Sequence, residues 1–99
     1  MTTVQNIIDY SKPHMNQMDG ARQTILSDER VRMSIVGGSK GLYGDFEKDF
    51  EVAILDQETD EFVTRFFRPE VNDDVLGYLS GEELIQLIEQ VFKKGFQVH

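Results

Sequence analysis

Residues able to do chemistry are sparse in this chain, and the most suggestive run is Gly37-Gly38-Ser39-Lys40-Gly41-Leu42-Tyr43-Gly44. Glycine amides cradle phosphates in nucleotide-binding loops, but a P-loop needs a Gly-Lys-Ser/Thr ending. Here Ser39 precedes Lys40, and no Gly-Lys pair exists. The dinucleotide fingerprint Gly-x-Gly-x-x-Gly also fails, because its paired glycines are missing. The run therefore reads as a turned connection between strands, with Lys40 and Tyr43 placed where a loop residue can touch a partner.

Acidic residues suggest a second chemistry. Asp45, Glu47 and Asp49 match the first, third and fifth positions of a calcium loop. Such a loop needs glycine at its sixth position and glutamate at its twelfth, whereas Phe50 and Asp56 stand there. No metal site is expected. The histidines, His14 and His99, are far apart in sequence and have no neighbouring serine or aspartate that suggests a triad. Asp73 and Asp74 are adjacent on a turn, where consecutive side chains diverge, so they do not form a paired-carboxylate site. Phe50, Phe62, Phe66 and Phe67 are surrounded by Glu51, Glu58, Asp60 and Glu61, not by the cations that flank a base-stacking platform. Catalytic, cofactor-binding and metal-ligating residues are thus all expected to be absent.

Composition narrows the choice further. The chain carries 10 Lys and Arg against 18 Asp and Glu, a net charge of −8. Residues 1–49 hold six basic and seven acidic side chains; residues 50–99 hold four and eleven. That field repels phosphate backbones and argues against direct nucleic-acid binding. It keeps the chain soluble, and it also suits a basic partner surface. There is no cysteine, which excludes disulfides and thiolate metal sites. No run approaches the ~20 apolar residues of a membrane span, and the amino-terminal residues lack a signal-peptide pattern. The expectation is a soluble, cytoplasmic protein of one domain, residues 1–99, with no membrane contact.

The positioning elements read as α+β. Thr2 or Thr3 caps a short helix carrying Val4, Ile7 and Ile8, which ends near Tyr10 or Ser11 ahead of Pro13. A second helical segment after Pro13 would turn Met15, Met18, Ile25 and Leu26 to the core. Val31, Met33 and Ile35 alternate with polar residues, giving a strand at 30–36. Phe50, Val52 and Ile54 alternate in the same way over 49–56, and Phe62, Thr64 and Phe66 do so over 61–67, so the stretch reads as a β-hairpin. Residues 75–79 are a further short strand or an apolar lead-in. Ser80-Gly81-Glu82-Glu83 is a capping box opening a helix over 81–94, with Leu84, Leu87, Ile88 and Val91 on one stripe. The fold class is a small antiparallel sheet of three to four strands, packed by this carboxy-terminal helix and one or two amino-terminal ones.

The hairpin register follows from its faces. Setting Phe50 opposite Phe66 puts Glu51 opposite Arg65 and Ala53 opposite Val63. A slip of one residue would set Arg65 against Val52 on the apolar face. In this register the second face of the sheet carries Ala53, Leu55, Val63 and Phe67 beside Glu51 and Arg65, so it is half apolar. The expected function is a non-catalytic interaction or assembly module. It would self-associate or dock a protein partner through Ala53, Leu55, Val63, Arg65 and Phe67, with Lys40 and Tyr43 as loop contacts. Two alternatives are an acidic decoy that mimics nucleic-acid charge, and an enzyme built on a cleft where carboxylates meet a tyrosine or histidine.

Overall fold

A computed structural model describes residues 2–13, 21–38 and 45–99. Helix α1 (Val4–Asp9) is followed by strands β1 (Lys12–Pro13), β2 (Arg22–Ser27), β3 (Val31–Gly37) and β4 (Asp49–Asp56). The single turn α2 (Thr64–Phe67), strand β5 (Val75–Ser80), helix α3 (Gly81–Val91) and strand β6 (Gln97–Val98) complete the chain. Among the described residues the sheet has six strands in the order β1-β2-β3-β4-β5, every pair antiparallel, with β6 paired to β2. The architecture is α+β, but the sheet is larger than the three to four strands expected from the sequence.

The period-two residues define the core. Leu26, Met33, Ile35, Phe50, Val52, Ile54 and Leu76 point to one face and are buried. Helix α3 closes that face with Leu84, Leu87, Ile88 and Val91, all within 2 % of full burial. Its capping box forms as the sequence implies: Ser80 Oγ accepts from Glu83 N–H at 3.1 Å, and Glu83 Oε1 accepts from Ser80 N–H at 3.0 Å. The helix ends at Val91, three residues before the expected 94, where the Arg30 guanidinium donates to the Val91 carbonyl at 2.7 Å. Thr3 caps α1 through a second capping box with Asn6, and Ile7 joins the core. Residue Gly81 lets α1 come close, since a Cβ there would sit 2.7 Å from a Val4 methyl.

Two elements differ from the sequence reading. Residues 22–27 are strand, not helix, so Leu26 enters the core while Ile25 turns to the opposite face. Met15 and Met18 lie outside the described residues. Residues 61–67 do not form a strand. They pair with β4 only briefly, Leu55 opposite Phe62, with Val63 N–H donating to the Ile54 carbonyl at 2.8 Å. That is the register one residue removed from the expected one. The objection to it, Arg65 facing Val52, never arises, because the chain turns into α2 at Thr64. Val52 pairs instead with Leu76 of β5, and Arg65 reaches Asp74 at 3.7 Å rather than Glu51.

Candidate interaction surface

The second face of the sheet is organised by register into three rows across the strands. The first row is Gln23, Val36 and Glu51. The middle row is Ile25, Ser34, Ala53 and Val75. Arg32, Leu55 and Phe62 make up the third. These ten residues line a depression of about 400 Å³. Its floor is low where the small residues Ser34 and Ala53 stand side by side, and larger side chains rise on the flanks. Among the described residues no helix packs on this face: α1 and α3 bury their apolar stripes in the core on the other side, and α2 packs Phe67 there while leaving Phe66 83 % exposed.

The polar groups on the face are tied down. Ser34 Oγ accepts from the Gln23 amide at 2.9 Å. Arg32 donates to Gln57 at 3.2 Å and forms an ion pair with Asp60. Glu51 also has a partner. Six of the ten positions are apolar, namely Ile25, Val36, Ala53, Leu55, Phe62 and Val75. Phe62 keeps 50 % of its surface exposed.

Only part of the expected surface assembles here. Ala53 and Leu55 lie on the face as the alternation implied. Val63 and Phe67 do not; they pack against the core from α2 and its cap, because the chain leaves the sheet at Thr64. Arg65 is exposed on α2, away from Glu51. Lys40 and Tyr43 lie outside the described residues. The sequence reading missed Ile25, Ser34, Val36 and Val75. The signal available for Ile25 is the β-branched pair Thr24-Ile25, which favours a strand over the expected helix.

Both sheet edges resist strand addition among the described residues. The outer edge of β2 is covered by β1 at one end and by β6 at the other. On the opposite side, β5 carries an irregularity in its pairing with β4, and Tyr78 within it has φ of 54°. A bulge of this kind twists an edge away from further pairing.

A separate cleft of about 1010 Å³ lies where the β2–β3 turn, the end of α3 and β6 converge. It brings Ser27, Asp28 and His99 together, a contact that sequence separation concealed. Ser27 Oγ bonds His99 Nε2, but Ser27 is only 2 % exposed. Burial pushes the Asp28 carboxyl up, yet amide donors on Val31 and Arg30 and the Arg30 guanidinium outweigh it and hold the group below its ordinary value. Those donors occupy both carboxylate oxygens. No carboxylate bonds the imidazole among the described residues, so the arrangement lacks the third member of a triad and an accessible nucleophile.

No group of three or more histidines or acids that could hold a metal occurs among the described residues. Asp45, the first of the would-be calcium ligands, accepts the amides of Glu47, Lys48 and Asp49. No helix among these residues is long and apolar enough to cross a membrane. Comparison with known proteins finds no family model, no curated protein and no solved structure that matches the chain.

Proposed function

We propose that this protein is a non-catalytic interaction module that docks a protein partner on the concave face of its sheet. The observation that carries this reading is the middle row, Ile25, Ser34, Ala53 and Val75, half-buried and apolar or small while the other face is sealed by helices. Antiparallel sheets commonly leave one face to water, but that face is then polar. A depression in which six of ten lining residues are apolar is the kind of surface that binds. The net charge of −8 turns the module away from nucleic acids and anionic lipids and toward a basic protein.

The test is site-specific photo-crosslinking in the native host. A benzophenone side chain placed at Ala53 should give a covalent adduct of increased mass, and one at Glu89 on the exposed side of α3 should not. Adding Ile25→Asp to the first variant should abolish the adduct while native-like circular dichroism shows that the sheet is kept. Absence of an adduct from position 53, or equal adducts from both positions, overturns the proposal.

A further inference from the structure

We infer that the occupant of the concave face is a basic amphipathic helix of about three turns. This inference rests on the reading of that face as the docking surface, and three features of the face select the occupant. The first is shape. A face-to-face pair of identical copies must be self-complementary, and two facing depressions would meet at their rims around an unfilled void. A convex occupant fills the space that a second copy leaves empty.

Backbone hydrogen bonding is the second feature. An extended segment laid across a sheet face finds no ladder partners, because the strands beneath have already paired their own amides and carbonyls. It could use an edge, but β1 and β6 cover one edge and the β5 irregularity disrupts the other. A helix pairs its own backbone and needs only side-chain burial from the sheet. The dimensions agree. Ile25 on β2 and Val75 on β5 stand three strand spacings apart, about 14 Å, against a helix diameter of about 10–12 Å.

Charge is the third. Among the described residues the face has one cation, Arg32, and Asp60 neutralises it. The exposed Glu61 precedes Phe62 at its rim. With −8 on the whole molecule, lysine and arginine flanking the apolar stripe of the helix are favoured, and a second acidic copy is repelled.

Mapping the crosslinks tests this. The rows on β4, marked by residues 51, 53 and 55, are each about 6.8 Å apart. A helix lying along them advances about four or five residues per row, whereas an extended strand advances two. Benzophenone at positions 51, 53 and 55 in turn should therefore mark partner residues spread over about nine positions of one segment with net positive charge. That segment, as a synthetic peptide, should gain helical circular dichroism on binding and bind at least tenfold more weakly when NaCl rises from about 50 to 500 mM. Marks spaced by two residues, marks within a second copy of this chain, or a segment of net negative charge overturn the helix while leaving the docking surface intact. Absence of marks overturns the docking surface itself.

Discussion

Asp45 shows how much one carboxylate organises locally. Its Oδ1 accepts amide protons from Glu47 and Lys48 at 2.8 Å and from Asp49 at 3.2 Å. The turn it closes holds Phe46 at φ of 62°, a region L-residues avoid, with the ring 4 % exposed and edge-on to Phe50 at 5.3 Å. The amides of Lys48, Glu47 and Asp49 lower the Asp45 pKa to about 2. The amides of Thr59 and Glu58 lower that of Asp56, and the Ser80 amide and hydroxyl lower that of Glu83. A carboxyl whose folded pKa is depressed binds protons more readily in the unfolded chain. Its stabilisation is therefore complete above the unfolded value, about 4, and is lost as pH falls through the folded one. Chemical denaturation should accordingly give a stability that is flat above about pH 5 and falls between about pH 4 and 2. Asp45→Asn, which retains an acceptor oxygen but cannot titrate, should lose less stability over that interval than the native chain; an unchanged slope would contradict the assignment. None of this was legible from the acidic spacing alone, because the same three acids suit a turn or a cation. The backbone donors decide between them, and they become visible only in the fold.

At the scale of elements, α1, α3, β3 and β4 were legible because periodicity, caps and breakers agreed there, while residues 75–79 suited a strand or an apolar lead-in equally. Residues 61–67 misled because alternation persists in the sequence after the strand has ended. Thr64 marks the end. Its hydroxyl, fully buried, accepts from the Ile54 amide at 2.9 Å and donates to the Asp74 carbonyl at 2.7 Å. The side chain thus occupies the position a strand backbone would have taken, and the backbone is released into α2. A side chain that substitutes for a ladder bond leaves no periodic signature, so sequence pattern could not announce it. Thr64→Val keeps the shape but removes both bonds, leaving a buried amide and a carbonyl unpaired. Equilibrium urea unfolding should register a loss of about 1–3 kcal/mol, and a loss below about 0.5 kcal/mol would show that the hydroxyl is dispensable. The same ending shapes the concave face. Had 61–67 continued as a strand, Val63 or Arg65 would line it; as it is, only Phe62 does.

Across the whole molecule, the half-apolar second face was legible from Ala53 and Leu55 on β4, but its extent was not. Ile25 and Val75 come from strands at opposite sides of β3 and β4, and only pairing across the full sheet places them in one row. Pairing also separates two kinds of stability. From β1 to β5 each strand lies beside its predecessor in sequence, whereas β6 returns to β2 from the far end of the chain. Its hold is slight: Leu26 opposite Val98, Ser27 opposite Gln97, the His99 amide on the Ile25 carbonyl at 2.9 Å, and the Ser27–His99 contact. Native-state hydrogen exchange should show the His99 amide opening at a free energy well below that of the core amides of Ile35 and Ile54. Equal protection would mean that β6 unfolds only with the whole domain.

That slight hold has a kinetic consequence. In a meander each strand pairs with its sequence neighbour, so every closure spans only the connection between them, shortest at the β2–β3 turn, and its cost in chain entropy is low. The β6 clasp closes a loop of 72 residues between Ser27 and His99, the costliest closure in the sheet, so it is expected to come last, on a scaffold that has already formed. Until it closes, the outer edge of β2 beyond β1 offers unpaired backbone groups. This is the interval in which a nascent copy can take the wrong strand, and two residues of pairing bring it to an end.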